Sequence, residues 1–166
     1  MRCASRFAAV AVLVAAAVVA RPLDRDIYPD PSAARGQIAA ALKTAAETHR
    51  RVLLDFGGNW CGDCIVLDMY LHNSANRPIL EANFVLVHVN VGHLDTNLDI
   101  AEQYNVPVKK GVPSLAVLSE TGKLLYSERN KELELAAQRA DPSAVTRFLV
   151  QWKPAKAGCS VMVVNC

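Results

Sequence analysis

The sequence predicts an α/β domain with a central mixed β-sheet and helices on both faces. Short, Val-rich segments of strand length alternate with segments of helical spacing, and a hairpin pattern followed by an amphipathic helix ends the series. The chain has 166 residues, of which 52% are hydrophobic and 20% charged. This length and composition indicate one globular domain with short appendages and exclude a disordered or collagen-like chain.

The first predicted helix and strand precede a pair of glycines. Asp30-Pro31 supplies a cap followed by proline, which is a common way to open a helix. Four residues then fall on one helical face: Ile38, Leu42, Ala45 and His49. Residues 51–56 form a short apolar segment that Gly57-Gly58 ends, and we interpret it as a buried strand entering a tight loop.

Two helices and a second strand are predicted between residues 61 and 91. One helix begins at Cys61 and runs towards His72, and a shorter one covers residues 75–82. Residues 84–91 alternate in polarity and are rich in Val, which is typical of a β-strand.

The second half of the domain is predicted to end in a hairpin and a helix. Residues 98–104 have helical spacing, and Val106-Pro107 stops that helix. Residues 114–119 and 124–127 are predicted as two strands joined by a turn. Asp141-Pro142 repeats the cap-and-proline signature before an amphipathic series of Val145, Phe148, Leu149 and Trp152.

The first 20 residues have the three parts of a secretory signal. A positive start ends at Arg6, residues 7–20 are apolar, and Val18-Val19-Ala20 provides a small-residue exit. This apolar stretch is shorter than the roughly 20 residues that a membrane-spanning helix needs, so we expect cleavage after Ala20 and membrane attachment only if the leader is retained. The chain is therefore divided into a signal peptide (1–20), a lead-in (21–31), a folded domain (32–153) and a C-terminal tail (154–166). We expect the folded part to be periplasmic or otherwise secreted.

The charge balance does not predict binding to nucleic acid. Lys and Arg number 18 and Asp and Glu number 16, a formal net charge of +2. Arg2 and Arg6 belong to the leader, so its removal leaves a formal charge of zero. We therefore expect no strongly basic surface and no nucleic-acid partner.

A pair of cysteines lies where the first strand ends and a helix begins, in the sequence Trp60-Cys61-Gly62-Asp63-Cys64. The unpaired backbone N–H groups and the positive end of the helix stabilise a thiolate on Cys61. We therefore predict that Cys61 attacks a substrate disulfide. Cys64, further into the first turn, is predicted to resolve the mixed disulfide that results.

Three separated motifs resemble the thioredoxin superfamily and occur in the family's order. They are Leu53-Leu54-Asp55-Phe56, the redox pair with its preceding tryptophan, and Gly111-Val112-Pro113-Ser114. The resemblance extends over residues 52–152 and looks most like the secreted thioredoxin-like branch, which includes a domain of bacterial transmembrane thiol transporters. It implies a thioredoxin-like three-layer fold for residues 32–153, with a central mixed sheet and helices on both faces.

The resemblance also implies roles for individual residues. Asp55 corresponds to the buried carboxylate beneath the resolving cysteine. A carboxyl group removed from water prefers its neutral form, so we expect Asp55 to exchange a proton with Cys64 near neutral pH. Pro113 corresponds to the cis-proline that faces the redox pair, and the backbone of Val112 would pair with an extended substrate chain. Trp60 is expected to pack the active-site loop.

Two of these assignments have an alternative from the residues alone. Asp55 could be a solvated strand end, and Pro113 could be an ordinary trans proline in a turn, since few X-Pro bonds in folded proteins are cis.

Two positions near the redox pair depart from the common family pattern. Asp63 replaces a proline that is often found between the cysteines. Its carboxylate opposes a thiolate on Cys61 and favours the disulfide, hence a more reducing pair, although it also favours the helix start. His88 aligns with a family lysine near the buried acid. It either titrates with Asp55 and Cys64 or is a hydrogen-bonded core or edge histidine.

Together these features predict an extracytoplasmic thiol–disulfide oxidoreductase that reduces protein disulfides through Cys61 and Cys64. We expect no metal and no cofactor beyond this redox-active disulfide, and we expect a monomer. The predicted partners are proteins that contain disulfides, and the resemblance implies a membrane thiol transporter as electron donor. Disulfide oxidation or isomerisation is the close alternative.

Other interpretations of the cysteines remain open. A structural disulfide of this spacing closes too short a loop to stabilise the fold much through chain entropy. A zinc or copper site could combine the pair with His88, His93, Cys159 or Cys166, but no second closely spaced pair is present. A redox-inert binding module would have no use for an exposed reactive thiol. The tail residues Cys159 and Cys166 could form a structural disulfide, an intermolecular bridge or a redox relay.

Overall fold

The computed structural model describes residues 26–155, so the predicted signal peptide and the tail cysteines Cys159 and Cys166 lie outside the described residues. In chain order the strands are β1 (Arg51–Gly57), β2 (Phe84–Asn90), β3 (Ser114–Leu118) and β4 (Leu124–Ser127). The helices are α1 (Ala34–Thr48), α2 (Gly62–Leu71), α3 (Arg77–Asn83), α4 (Leu98–Gln103), α5 (Glu132–Gln138) and α6 (Pro142–Trp152). Short 3-10 turns occupy Pro31–Ala33 and Val108–Lys110.

The strands form one mixed sheet in the order β2-β1-β3-β4. β1 runs parallel to β2 and antiparallel to β3, and β3 and β4 form an antiparallel hairpin. Helices α2 and α3 connect β1 to β2, because parallel neighbours need a long crossover. In this register Asp55 of β1 lies between His88 of β2 and Leu115 of β3, so the centre of the sheet carries a carboxylate beside an imidazole.

Helices cover both faces of the sheet and enclose two hydrophobic clusters. On one face, α1 and α4 pack with Val52, Leu54 and Phe56 of β1. On the other face, α2, α3, α5 and α6 pack with Leu53 and with Leu115 of β3. Alternate residues of β1 therefore point to opposite faces, as strand geometry requires. The predicted α/β fold with a mixed sheet and helices on both faces is confirmed.

The predicted elements occur, with shifts at several ends. Asp30 caps the 3-10 turn by accepting a hydrogen bond from the backbone N–H of Ser32, and α1 begins only at Ala34. His49 was expected on the helical face, but it is the C-cap of α1, with a left-handed φ of 55°. Strand β2 ends at Asn90, one residue before the predicted end.

Helix α5 was not predicted from the sequence. It spans only seven residues, and its N-cap residue Lys131 makes no capping hydrogen bond through its side chain. Such a short helix without a cap signal has no distinctive pattern. Its buried residues Leu133, Ala136 and Ala137 nevertheless pack the helix into the domain beside α2.

None of the helices within residues 26–155 is both long enough and apolar enough to cross a membrane.

Candidate active site

Cys61 and Cys64 form a disulfide at the start of α2. Cys61 is the N-cap residue, and its Sγ accepts a hydrogen bond from the backbone N–H of Cys64 at 3.2 Å. It therefore lies where the helix has N–H groups without intrahelical partners, which favours a negatively charged sulfur. Cys61 keeps 7% of its surface exposed, whereas Cys64 is fully buried. Of the two cysteines, Cys61 is therefore the more exposed residue.

The loop before β3 faces Cys61. The Val112–Pro113 peptide bond is cis, as the resemblance implies. The Sγ of Cys61 lies 3.6 Å from the carbonyl oxygen of Val112, although these residues are 51 positions apart in the sequence. The hydroxyl of Ser114 donates to the carbonyl oxygen of Gly111 at 3.2 Å, which holds the loop closed. The fold thus brings two of the three sequence motifs into contact at one sulfur.

Trp60 forms an exposed aromatic face next to the redox pair. Its indole N–H donates to the carbonyl oxygen of Gly92, and its ring stacks on His93 with the centroids 5.4 Å apart. The tryptophan is 48% exposed. Gly58 leaves room for it, because a Cβ atom there would lie 2.6 Å from the indole nitrogen. His93, which the sequence offered only as a possible metal ligand, therefore supports the orientation of this ring.

Asp55 is fully buried in β1, so it is not a solvated strand end. One carboxylate oxygen, Oδ2, accepts hydrogen bonds from the hydroxyl of Tyr28 at 2.7 Å and from Nδ1 of His88 at 3.0 Å. The other oxygen, Oδ1, is buried and has no hydrogen-bond partner among residues 26–155. Because burying a carboxylate oxygen without a partner is costly, this oxygen marks Asp55 as a candidate for chemistry.

His88 connects Asp55 to the redox helix. Its Nδ1 contacts Asp55, and its Nε2 lies 3.4 Å from Oδ1 of Asp68 on α2. Burial lowers the pKa of His88, but the hydrogen bonds and negative charges of Asp55 and Asp68 outweigh that effect and raise the pKa to about 9. His88 is therefore a hydrogen-bonded histidine within the sheet and carries a positive charge beside Asp55 at neutral pH.

Asp68 connects His88 to a second, partly exposed histidine, His72. Oδ1 of Asp68 also lies 2.9 Å from Nδ1 of His72, whose side chain is about one-third exposed. Burial raises the pKa of Asp68, but the hydrogen bond from His88 and the charge of His72 outweigh it and lower the pKa below its ordinary value. Asp68 thus remains a carboxylate and balances the charge of His88.

Sequence analysis missed Tyr28. Its segment is held by asparagine side chains: Asn59 exchanges two hydrogen bonds of 2.9 Å with the backbone of Tyr28, and Asn90 donates to the carbonyl oxygen of Pro29. A Cβ atom on Gly57 would overlap both the Tyr28 hydroxyl and Sγ of Cys64, so these two groups lie against the same backbone position. A single aromatic residue in a Pro- and Asp-rich segment has no periodicity that could have revealed this role.

Asp63, between the two cysteines, is partly exposed and contacts α5. Its Oδ2 accepts a hydrogen bond from Nε2 of Gln138 at 3.0 Å. The helix that the sequence did not predict therefore touches the redox motif directly.

Glu128 is a second buried carboxylate that sequence analysis missed. Its Oε2 accepts from the backbone N–H of Leu115 at 3.0 Å, and its Oε1 accepts from that of Leu133 at 2.7 Å. Burial raises the pKa of Glu128 to about 7; the two backbone hydrogen bonds oppose this shift, and the negative charges of Glu132 and Asp55 add to it. Glu128 joins β3 to the first turn of α5.

Metal ligation was a further interpretation of these side chains. Within residues 26–155, no three His, Cys, Asp or Glu side chains are grouped so that they could hold a metal ion. Cys159 and Cys166, two of the ligands considered, lie outside those residues.

Comparison with known proteins gives one family and several similar structures. A family model described as thioredoxin-like matches residues 33–119. The crystal structure of a disulphide isomerase from Xylella fastidiosa Temecula1 is 32% identical in sequence, with a TM-score of 0.72, and the match covers 78% of this chain and 98% of that one. A thioredoxin from Thermus thermophilus shares the fold at 23% identity and a TM-score of 0.50, over 75% of this chain and 83% of its own. None of the curated proteins matches this sequence.

Proposed function

We propose that this chain, which belongs to the thioredoxin-like family, is a thiol–disulfide oxidoreductase that reduces disulfide bonds in other proteins. The position of Cys61 carries the proposal. Cys61 is the N-cap residue of α2 and the more exposed of the two cysteines, and its sulfur is 3.6 Å from the Val112 carbonyl oxygen beside the cis peptide bond. A disulfide whose role was only structural would not need its more exposed cysteine opposite a backbone edge that can receive a peptide.

In the reduced protein, Cys61 attacks as a thiolate. It forms a bond to one sulfur of the substrate disulfide, the substrate S–S bond breaks, and the second substrate sulfur leaves with the electron pair. Cys64 then loses its proton to Asp55 and attacks Sγ of Cys61, which releases the first substrate sulfur as a thiolate. Two electrons have passed to the substrate, and the protein is left with the Cys61–Cys64 disulfide.

Two surfaces would hold the substrate during these steps. The backbone of Val112 is proposed to pair with an extended substrate segment, next to Cys61. The exposed face of Trp60 is proposed to contact the substrate from the other side, since aromatic residues are enriched where proteins bind each other. No further cofactor is part of the proposed reaction.

Asp63 supports reduction as the direction. Its negative charge next to Cys61 disfavours the thiolate and so stabilises the oxidised pair relative to the reduced one. A reductase needs a source of two electrons, and we propose a membrane thiol transporter in this role. The apolar leader of residues 1–20 supports an extracytoplasmic site of action.

The direction is tested by equilibrating residues 21–166 against glutathione buffers and trapping free thiols. The protein is compared with a variant in which Cys159 and Cys166 are Ser, so that only the redox pair titrates. A reductase keeps its disulfide in all but strongly reducing buffers, with a potential below about −220 mV. A potential near about −120 mV would instead identify an oxidant. A reduced protein whose Cys61 does not react with an alkylating agent would contradict the mechanism.

Isomerisation is the second candidate, because the similar Xylella protein is described as a disulphide isomerase. An isomerase exchanges disulfides without net electron transfer. Restoring the activity of an enzyme with scrambled disulfides, without consuming a reductant, would therefore favour isomerisation, whereas stoichiometric formation of substrate thiols would favour reduction.

A further inference from the structure

The segment before the first helix contacts the redox site although it precedes the family match, which begins at residue 33. Tyr28 is only 2% exposed, and its hydroxyl lies 2.7 Å from Oδ2 of Asp55. Asn59, which directly precedes Trp60, binds both the N–H and the carbonyl oxygen of Tyr28. The segment is therefore attached at the same loop that presents the cysteines.

The two oxygens of Asp55 have different surroundings. Oδ2 accepts from Tyr28 and His88, whereas Oδ1 is buried without a partner among residues 26–155. Two donors on one oxygen prevent the carboxylate from rotating freely, because rotation would break both hydrogen bonds. The free oxygen is therefore held in one orientation. The Tyr28 hydroxyl that binds Oδ2 itself lies beside Sγ of Cys64, because a Cβ atom on Gly57 would overlap the hydroxyl and would lie 2.8 Å from the sulfur.

We propose that Tyr28 is a positioning residue of the redox reaction, which holds Oδ2 of Asp55 so that Oδ1 exchanges the proton of Cys64. This inference rests on the proposed function. In the resolving step the proton of Cys64 moves to Oδ1, the electron pair left on sulfur forms the bond to Cys61, and the substrate sulfur leaves with the pair from the broken bond. Tyr28 takes no part in the proton transfer itself.

The ionisation of Tyr28 agrees with this role. Burial raises the pKa of Tyr28 well above 10, and the nearby charge of Asp55 adds to the shift. The hydroxyl therefore stays protonated and remains a donor to Asp55 throughout the pH range in which the cysteines react.

Several charged or titratable groups face Asp55, and each has a defined direction of effect. Tyr28 and the positive charge of His88 on β2 favour the carboxylate form. Asp68 on α2 and Glu128 after β4 oppose it through their negative charges, and Cys64 on α2 exchanges the proton. Removing only the Tyr28 hydroxyl leaves the other groups in place, so the titration of Asp55 should move to higher pH.

The experiment compares Tyr28→Phe with a matched control, Tyr126→Phe. Both changes delete a hydroxyl that donates to a carboxylate. The Tyr126 hydroxyl donates to Oε2 of Glu132 at 2.9 Å, and neither residue of this pair is hydrogen-bonded to Cys61 or Cys64. The carboxyl carbon of Asp55 is followed by NMR against pH in the oxidised and reduced full chain. We expect its midpoint to rise by about one pH unit in Tyr28→Phe and to stay unchanged in Tyr126→Phe.

The second measurement is the single-turnover rate of disulfide reduction against pH. In Tyr28→Phe the acid limb of this profile is expected to shift to higher pH by the same amount. The rate at pH values below the Asp55 midpoint should therefore fall about tenfold. If neither the titration nor the profile moves while the wild-type protein remains active, the inference on Tyr28 is overturned and the proposed function stands. If the titration moves but the wild-type protein reduces no disulfide, the proposed function fails and the positioning of Asp55 stands.

A second variant keeps the test decisive if Tyr28→Phe does not fold. Asn59→Ala removes both hydrogen bonds to the backbone of Tyr28 but leaves the tyrosine ring in the sequence. We expect a smaller shift of the Asp55 midpoint in the same direction, and an unchanged midpoint would overturn the proposal.

Discussion

Asp55 and Glu128 are both buried carboxylates next to Leu115 of β3, yet they are bound in opposite ways. Both oxygens of Glu128 accept hydrogen bonds from backbone N–H groups. Asp55 has two side-chain donors on one oxygen and, within the described residues 26–155, none on the other. Glu128, whose oxygens both accept from the backbone, stabilises the fold, whereas Asp55, with one oxygen that has no partner among residues 26–155, is the carboxylate that we propose for proton transfer.

The largest expected effect is on the rate of disulfide reduction, which should distinguish Asp55 from Glu128. In Asp55→Asn the amide cannot accept the proton of Cys64, so we expect single-turnover reduction of a protein disulfide to slow by about 100-fold at neutral pH. Glu128→Gln keeps the carboxyl group of Asp55 and should change the rate by less than about threefold, since the hydrogen bonds of Glu128 within residues 26–155 come from backbone N–H groups. Stopped-flow mixing with a disulfide substrate measures both rates, and equal slowing in the two variants would contradict the assignment.

The next largest effect is on the free energy of unfolding of Glu128→Gln. The amide of Glu128→Gln retains one acceptor where the carboxylate has two, so one of the backbone N–H groups of Leu115 and Leu133 loses its partner in a buried site. We expect the free energy of unfolding to fall by about 2 kcal/mol. Glu102→Gln, an exposed change in α4, is the control and should stay within about 0.5 kcal/mol of the wild type. Denaturant unfolding measures both values, and a Glu128 variant as stable as the control would show that these hydrogen bonds contribute little.

A third test measures stability against pH, because Glu128 and His88 titrate in different pH ranges. The pKa of Glu128 is raised to about 7 from its ordinary 4.5, so the folded state binds the proton more tightly and stability falls as pH rises through this interval. The pKa of His88 is raised to about 9 from 6.5, so its contribution is complete below 6.5 and is lost as pH rises towards 9.

Unfolding of the oxidised protein, measured from pH 4 to pH 10, should therefore show two successive declines. Glu128→Gln is expected to remove the lower decline, and His88→Gln the upper one. A single variant that removed both would indicate that the two sites titrate as one unit.

The smallest expected effect concerns Asp63, a partly exposed carboxylate beside the same cysteines. In Asp63→Asn the thiolate of Cys61 loses a repulsive neighbour, so the potential of the pair should rise by about 10–20 mV. Gln138→Ala is the control, because it removes the hydrogen bond to Asp63 and leaves its charge. Equilibration with glutathione measures both shifts. A rise as large in the control would assign the effect to the contact with α5 and not to the charge.

Local patterns in the sequence were sufficient for most of the fold. Alternation of Val-rich and helical segments predicted β1, β2 and the β3–β4 hairpin, since side-chain periodicity is set by the backbone geometry of each element. The cap-and-proline pairs marked the openings at Pro31 and Pro142, although the first one opens a 3-10 turn. Helix α5 was missed because its seven residues carry no cap signal.

The sequence by itself also determined the redox pair and its order relative to Asp55 and Pro113, because these motifs are short and contiguous. Only the tertiary structure decided which groups surround Asp55. Tyr28 lies 27 residues away from it, and His88 lies 33 residues away. Which oxygen of a buried carboxylate is bound and which is free depends on donors supplied by distant segments, and no periodicity or local motif encodes those hydrogen bonds. For the same reason the sequence did not identify Glu128 as a second buried carboxylate, whose oxygens both accept from the backbone, and did not show that Oδ1 of Asp55 lacks a partner among residues 26–155.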